Sequence, residues 1–337
     1  MKRIALIGCG AIASSFHLPA LTRLTGQRIS LVLVDPNRDR AQALADRYKL
    51  RETASSHADV VDELDGAIIA TPHHLHLPIG LSLLEHGVSI LSEKPLGTSV
   101  LEIEQLEEAS ARSGSVIAVN QTRRFIPACR EIRRRFQSGE LGAIQRIRMD
   151  EGDRFGWPSA SPAMFGARSG GKGVLLDVGV HALDLLTWWL GDQIQVVSYE
   201  DDSMGGSEAA AHAVFCSASI EVELRLSWLA KRPNQYVIEG SHGTLSWDVY
   251  DLDRVTLTSE PGGRPQVIRL SGAPASFDEL AHPVILDFLE ALETGRGPTV
   301  GPLDVLPSMK LIEACYAQRN PFSMSWHGFA LPAEVKD

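Results

Sequence analysis

A lysine stands at the end of an apolar run in the sequence SILSEKPLG, residues 89–97. The run from Val88 to Leu91 predicts a buried strand, and burying an ammonium group is costly unless it has partners. Pro95 disfavours helix at the residue before it, so Lys94 is predicted to stay extended and to point off the end of the strand. A lysine placed there can hold a polar ligand atom. The alternative is an ion pair with Glu93 in solvent.

A second group of titratable residues lies in SGGKGVLLDVGVHALDLLTWWLG, where the apolar pattern predicts one helix from Val174 to Leu190. At roughly 100° per residue, Asp177, His181 and Asp184 fall within about 60° of one another on that helix. A carboxylate one turn before a histidine can fix its tautomer and tune its basicity, as a general base requires. The alternative is a structural network of ion pairs.

The motif GCGAIA, residues 8–13, follows the first apolar run. Glycines there let the backbone turn tightly and approach a pyrophosphate, and a small residue at the end lets the next helix pack on the strand. The second run, ISLVLVD, ends in Asp35, which is placed to bind the ribose hydroxyls of NAD. Arg38 and Arg40 could accommodate the 2′-phosphate of NADP, so NADP is not excluded. The predicted cofactor contacts in this region are Gly8, Gly10, Ala11, Ile12 and Asp35.

Three histidines, His73, His74 and His76, occur in the sequence ATPHHLHLP. Their closeness suggests a metal site. His73 and His74 are adjacent, however, and would face apart at a helix start, and no carboxylate or thiolate follows at a helical interval. No metal site is predicted.

The first third of the chain alternates short β-branched runs with helical patterns, which indicates a parallel, doubly wound sheet. After about residue 143, one apolar helix is followed by runs with short turns, which indicate a mostly antiparallel sheet, and two helical patterns close the chain. The predicted fold class is therefore α/β, with a doubly wound parallel sheet followed by an α+β domain that has a large, mostly antiparallel sheet. The predicted strands are 3–7, 30–34, 66–70, 88–91, 115–119, 194–200, 209–216, 219–228, 235–240, 243–248 and 253–258. The predicted helices besides 174–190 are 38–48, 76–86, 100–113, 279–293 and 303–318.

The composition is that of an ordinary globular protein: 337 residues, 44% hydrophobic and 22% charged. A formal net charge of -10 argues against nucleic acid or an anionic membrane as a partner and favours small molecules. The four cysteines have no metal-like or paired spacing, as expected of reduced thiols in a cytoplasmic protein. No run approaches the length of a signal peptide core or of a transmembrane helix.

Six motifs, in this order, resemble those of the Gfo/Idh/MocA family of sugar and polyol oxidoreductases: GCGAIA, ATPHHLH, EKPLG, NQTRRFIP, GELGAIQRI and GGKGVLLDVGVHALD. The resemblance implies an N-terminal Rossmann domain, residues 1–120. It also implies a C-terminal substrate-binding and oligomerisation domain, residues 121–337, whose last helix packs back toward the first domain. A homodimer or homotetramer through the C-terminal sheet is expected.

The resemblance also implies the site residues. The lysine of EKP lies where cofactor and substrate meet, with a cis bond before Pro95, and Lys94, Asp177 and His181 match the family's catalytic set. Further cofactor contacts are expected at Thr71, Pro72, His76, Glu93 and Lys94. Substrate contacts are expected at Arg124, Arg154, Trp157, Arg168, Asp177 and His181. The alternative for the arginines and the tryptophan is solvation and ordinary packing.

The activity implied by the resemblance is hydride transfer between NAD(P) and a hydroxyl or keto carbon of a sugar, polyol or sugar derivative. His181 would move the hydroxyl proton, and Lys94 would stabilise negative charge on the reacting oxygen. Two alternatives stay open: a non-catalytic sensor of NAD or sugar, and an NAD-dependent glycosidase of the same fold.

Overall fold

The structure is a computed structural model, and it describes residues 1–156, 158, 172–203, 206–259 and 263–323. Most of the stretch between residues 152 and 173, which is rich in Gly, Pro and Ser, lies outside the described residues.

The first half of the chain forms a parallel sheet, as predicted, but with six strands rather than the five predicted, in the order β3-β2-β1-β4-β5-β6. Every residue of the last three strands is buried, as expected for a parallel sheet covered on both faces. The strands are β1 (Lys2–Ile7), β2 (Ile29–Val34), β3 (Glu52–Ala54), β4 (Gly66–Ile69), β5 (Ser89–Glu93) and β6 (Ile117–Asn120).

The helices that connect these strands are α1 (Leu18–Leu24), α2 (Arg38–Tyr48), α3 (His76–Glu85) and α4 (Val100–Ser113). Capping side chains fix where two of them begin. Asn37 accepts a hydrogen bond from the amide of Arg40, and Ser99 accepts one from the amide of Glu102. The Glu102 carboxylate bonds Thr98 rather than Ser99.

The second half contains a nine-stranded sheet in the order β14-β13-β12-β11-β7-β10-β9-β8-β15. Only the pairs β7–β10 and β8–β15 are parallel among the described strands, so the sheet is mostly antiparallel, as predicted. The strands are β7 (Ile144–Gly152), β8 (Gln195–Asp201), β9 (Ala210–Ser217), β10 (Ile220–Ser227), β11 (Gln235–Gly240), β12 (Gly243–Asp248), β13 (Arg254–Thr258), β14 (Gln266–Arg269) and β15 (Arg319–Pro321).

One face of this sheet is apolar and the other is charged. On β10, Val222 and Leu224 are buried, whereas Glu221 and Arg225 alternate with them and are exposed. The charged face pairs within itself, for example through Arg146, whose guanidinium lies 3.1 Å from the Glu221 carboxylate across the strands. The sheet therefore has one face packed on helices and one polar face.

The helices of the second half are α5 (Pro127–Ser138), α6 (Val180–Leu190), α7 (Ala281–Thr294) and α8 (Pro302–Ala317). Helix α8 packs against α4 and β6 of the first half as well as against α6. No helix among the described residues is long and apolar enough to cross a membrane.

The segment predicted as one α-helix over 174–190 has a different beginning. Residues Leu175–Gly179 form a π-helical turn, and the α-helix follows it. A π-helical turn inserts backbone relative to a regular helix, so side chains before and after it do not keep the 100° spacing on which the predicted stripe depends.

Candidate active site

The site is built on the edge of the parallel sheet where its strands end. Because Ile69 pairs with Ser92 and Glu93 pairs with Asn120, the residues that follow these strands leave the sheet side by side. They are Thr71, Lys94 and Gln121. Open α/β sheets bind ligands at this edge. The Thr71 hydroxyl oxygen and the side-chain amide oxygen of Gln121 are buried and have no hydrogen-bond partner among the described residues.

The glycine motif forms the loop between β1 and the next helix. Gly8 has φ +95°, and a Cβ there would lie 2.5 Å from the carbonyl oxygen of Ala70, so only glycine fits. A Cβ on Gly10 would meet nothing within 4 Å, which leaves open space above the loop. The following residues, Ala11 and Ile12, lead into a π-helical turn over Ala13–His17. The loop therefore has the close approach and the open side that a pyrophosphate needs.

Asp35 lies directly after β2 and contacts this loop. Its carboxylate accepts hydrogen bonds from the amides of Cys9, at 2.9 Å, and Asn37, at 2.8 Å. Asp35 is only 3% exposed, and the guanidinium of Arg40 lies 3.4 Å from it. The acid is thus held at the end of the strand, with a basic side chain beside it.

Glu93 is buried below Lys94. One carboxylate oxygen lies 2.7 Å from Nε2 of His17 and accepts a hydrogen bond of 2.7 Å from Asn120. Burial opposes ionisation, but the bond to His17 and then Asn120 hold the pKa of Glu93 below its usual value. The predicted alternative, a solvent pair between Glu93 and Lys94, is not what the structure shows. His17 was not predicted at all.

His76 connects two loops at the edge of the sheet. Its Nδ1 lies 2.8 Å from the carbonyl oxygen of Pro95 and its Nε2 lies 2.9 Å from that of Thr71. Both ring nitrogens are therefore engaged within the chain. Thr71, Pro72 and His76 were predicted to contact the cofactor. The structure brings Thr71 and His76 next to Pro95. The peptide bond before Pro95 is cis, as expected.

Lys94 joins the two halves of the molecule. Its Nζ donates one hydrogen bond to the carboxylate of Asp177 and one to the backbone carbonyl of the same residue, both 2.8 Å. The side chains are 18% and 20% exposed, so the pair is open on one side. Burial opposes ionisation of Asp177, but attraction to the Lys94 ammonium lowers the pKa of Asp177. Two predicted catalytic residues thus meet.

His181 lies one α-turn beyond Asp177 but is not bonded to it. Its Nδ1 is buried and has no hydrogen-bond partner among the described residues. Burial, followed by the charges of Lys94 and Arg123, holds the pKa of His181 well below 6.5, so the imidazole is neutral. The expectation that Asp177 fixes the tautomer of His181 is wrong for this structure, because the Asp177 carboxylate bonds Lys94.

His73 belongs to the same electrostatic group. Burial, followed by the Lys94 ammonium and His76, lowers the pKa of His73 to about 3. In the sequence, His73 was considered only as a metal ligand, and no metal site was predicted. Its position after β4, beside the end of β5, was a signal that it lies at the site. No group of metal-ligating side chains occurs among the described residues.

Asp184, the third member of the predicted stripe, belongs to another cluster. It accepts two hydrogen bonds from the guanidinium of Arg124, at 2.8 and 2.9 Å. Arg124 also bonds the carbonyl of Asp304, at 2.9 Å, and its side chain is 3% exposed. A substrate could not reach this guanidinium without breaking these bonds, so the geometry does not support Arg124 as a substrate contact.

Of the remaining predicted substrate contacts, Arg154, Trp157 and Arg168, the structure describes only Arg154. Arg154 is exposed after β7. Trp157 and Arg168 lie outside the described residues. A residue that sequence reasoning missed is Arg123, which forms a buried two-bond pair with Glu151, both bonds 2.7 Å, and raises the positive potential at His181.

Comparison with known proteins agrees with this architecture. Residues 2–121 match a family model described as an oxidoreductase family with an NAD-binding Rossmann fold, and residues 129–246 match the GFO/IDH/MocA C-terminal domain. Fold and site thus define an oxidoreductase with an NAD-binding Rossmann domain and a second domain built on a large sheet. The chain belongs to the Gfo/Idh/MocA family, which confirms the resemblance found in its sequence.

The chain has relatives among both curated proteins and solved structures. Scyllo-inositol 2-dehydrogenase (NAD(+)) of Bacillus subtilis is 25% identical over 94% of each chain. The rhizopine catabolism protein MocA of Rhizobium meliloti is 28% identical over 57% of this chain, and the match covers 58% of the length of MocA. KijD10, a 3-ketoreductase from Actinomadura kijaniata solved with NADP and TDP-benzene, is 21% identical with a TM-score of 0.83, covering 95% of this chain and 98% of that one.

Proposed function

We propose that the protein transfers a hydride between a nicotinamide dinucleotide and a hydroxyl or keto carbon of a sugar, polyol or sugar derivative. The observation that carries this proposal is the contact of Lys94 with Asp177 at the carboxyl edge of the sheet, open to solvent on one side. Relatives named as inositol dehydrogenase and ketoreductase support the substrate class.

Lys94 is assigned to the reacting oxygen. An ammonium group has three donors, and Asp177 uses two of them. No described residue accepts from the third, which can donate to a substrate oxygen and stabilise the negative charge that develops there. Asp177 fixes the direction of that donor, and no described residue bonds its second carboxylate oxygen, which can accept from a neighbouring substrate hydroxyl.

His181 is assigned to the proton. A neutral imidazole with an unpartnered Nδ1 can accept the hydroxyl proton during oxidation and return it during reduction. Its lowered pKa keeps it in the accepting form, and the resulting imidazolium would release its proton readily.

The cofactor residues fit a dinucleotide. Gly8 lets the loop pack against Ala70, and Gly10 leaves room for the pyrophosphate. The side-chain oxygens of Thr71 and Gln121, which no described residue bonds, lie at the edge where the nicotinamide end would bind. When bound, the nicotinamide supplies or accepts the hydride. Asp35 favours NAD over NADP because an acid repels a 2′-phosphate.

A binding titration tests the cofactor assignment. NAD(H) is expected to bind more tightly than NADP(H), and Asp35→Ser should narrow or invert the difference. Equal or tighter binding of NADP(H) by the unmodified protein would overturn the assignment.

The activity is tested by screening sugars, polyols and their acids, phosphates and nucleotide conjugates with NAD or NADH. Net formation of NADH supports the dehydrogenase, catalysis without net redox change supports the glycosidase, and binding without turnover supports the sensor. His181→Ala should keep cofactor affinity within a few-fold while turnover falls by about a hundred- to ten-thousand-fold. Near-normal turnover of folded His181→Ala protein would show that the proton moves elsewhere.

We also infer a homodimer or homotetramer through the charged face of the nine-stranded sheet. Its charges are paired, for example Arg148 with Glu239 at 2.7 Å, so the face could be covered without leaving isolated charges. A monomeric mass by light scattering at micromolar concentration would contradict this.

A further inference from the structure

The segment that carries Asp177 begins with three amides that all bond one distant residue. The carboxylate of Glu208 accepts hydrogen bonds from the amides of Gly173, at 2.9 Å, and Leu175, at 3.0 Å. The backbone carbonyl of Glu208 accepts the amide of Val174 between them, at 2.9 Å. The first amides of a helix lack partners within the helix, so Glu208 supplies them from outside.

Glu208 is itself fixed from the opposite side. The oxygen that receives the two amides also accepts a hydrogen bond from the Tyr316 hydroxyl, at 2.8 Å. The other oxygen accepts one from Arg319, at 2.8 Å, and Arg319 pairs with Asp201 as well. Glu208 is 0% exposed, so these partners determine where its carboxylate lies.

The packing around Gly173 leaves no room for adjustment. A Cβ on Gly173 would lie 2.0 Å from the backbone oxygen of Glu208, which no real side chain could tolerate. The close approach therefore requires glycine, and it sets the position of the segment's first residue relative to Glu208.

Two successive hydrogen bonds connect Glu208 to Asp177 through Gly173. Gly173 donates its amide to Glu208 and accepts the amide of Asp177 with its carbonyl, at 3.0 Å. Asp177 in turn receives Lys94 through its carboxylate and its carbonyl. Asp177 is thus held from one side by Lys94 and from the other by Gly173, with the π-helical turn between the anchor and His181.

We propose that Glu208 is a positioning residue for catalysis: anchored by Tyr316 and Arg319, it sets the start of the π-helical turn and so aims Asp177 at Lys94. The proposal rests on the assignment of Asp177 to the reaction. A carboxylate suits the position because the amino end of a helical segment carries partial positive charge.

The test compares Glu208→Gln with Asp287→Asn. Asp287 has a similar set of donors, the amide and hydroxyl of Thr299 and the guanidinium of Arg296, but it lies on α7 and none of its hydrogen bonds to described residues involves residues 173–181. Both variants lose a carboxylate charge with several donors; Glu208 is fully buried, and the Asp287 side chain is 11% exposed. Only Glu208→Gln should lower kcat, by about ten- to a hundred-fold, as a small misplacement of reacting groups does. KM and NADH affinity should stay within about three-fold.

Hydrogen exchange provides a second readout that needs no substrate. The amides of 173–177 should exchange at least about ten-fold faster in Glu208→Gln than in the unmodified protein, and no faster in Asp287→Asn. Tyr316→Phe, which removes one donor and keeps the carboxylate, should show the same pattern to a smaller extent if Glu208→Gln does not fold.

Equal kcat in the two carboxylate variants, or unchanged exchange of 173–177 in Glu208→Gln, would overturn the positioning role. An unmodified protein without turnover on any sugar would contradict the proposed function instead. In that case exchange alone decides whether Glu208 fixes the segment.

Discussion

Two aspartates seven residues apart on one helical segment form two different ion pairs. Asp177 bonds Lys94 where the two halves of the molecule meet, and about a fifth of each side chain is exposed. Asp184 bonds Arg124, with both side chains almost completely buried. Burial raises the pKa of Asp184 although Arg124 opposes this, whereas attraction to Lys94 lowers the pKa of Asp177.

The difference between these pairs shows what makes one of them suitable for chemistry. The planar guanidinium of Arg124 donates to both carboxylate oxygens of Asp184, and it also donates to the carbonyl of Asp304. Both members of that pair therefore have their hydrogen bonds satisfied within the protein. Lys94 reaches only one carboxylate oxygen of Asp177, and one of its three donors bonds no described residue. A complete, buried pair fixes α6 against its neighbours, and an incomplete, open pair can receive a ligand.

Replacing Lys94 should give the largest effect on activity. Lys94→Met is expected to lower turnover by about a hundred- to ten-thousand-fold, because the donor to the reacting oxygen is lost. The free energy of unfolding should change by less than about 1 kcal/mol, since a partly exposed pair contributes little. Turnover and urea unfolding measure the two quantities, and a folded variant with normal turnover would remove the distinction between the pairs.

Replacing Arg124 should give the opposite result. Arg124→Met leaves Asp184 buried without its partner and should cost about 3–5 kcal/mol of unfolding free energy. Turnover per folded molecule should stay within a few-fold. The double variant Arg124→Met with Asp184→Leu should recover much of the stability, because apolar groups can replace a complete buried pair. A large loss of turnover with unchanged stability would place Arg124 in the active site after all.

The histidines beside the Lys94–Asp177 pair should make the free energy of unfolding depend on pH. Burial and the charge of Lys94 lower the pKa values of His73, to about 3, and of His181. Unfolded histidines titrate near pH 6.5, so below that pH the unfolded chain binds protons that the folded chain does not. The stabilisation from the neutral histidines is therefore fully present above pH 6.5. The free energy of unfolding falls on acidification, by at most about 1.4 kcal/mol per pH unit for each histidine.

His73→Asn should reduce this slope between pH 7 and pH 5, as measured by urea unfolding. His242→Asn, at an exposed position between β11 and β12, is the control and should leave the slope unchanged. Equal slopes in the unmodified protein and both variants would show that burial beside Lys94 does not keep His73 neutral.

The fold was largely predictable because its signals are local. Helix α2 begins after Asn37 and α4 after Ser99, and both caps are visible in the sequence. The alternation along β10 likewise separates its buried and exposed faces. The predicted elements do not include the strands β3, β7, β14 and β15 or the helices α1 and α5. For β3, β14 and β15 the reason is that three or four residues carry too little periodicity.

The candidate site was predictable only in part, because its contacts connect distant parts of the chain. The motif around Lys94 indicated a ligand-facing lysine, and its partner Asp177 is 83 residues away. The π-helical turn leaves no mark in the apolar pattern, so Asp184 was grouped with Asp177. The partners of Asp184 and Glu208 depend on tertiary packing that periodicity does not encode.

The most direct test of the account compares Asp177→Asn with Asp184→Asn, with turnover per folded molecule as the measurement. Asp177→Asn should lose about a hundred-fold or more in turnover while its unfolding free energy changes by less than about 1 kcal/mol. Asp184→Asn should lose several kcal/mol of stability and keep turnover within a few-fold. Equal turnover losses in the two variants, or normal turnover of Asp177→Asn, would contradict the assignment of the open pair to the reaction.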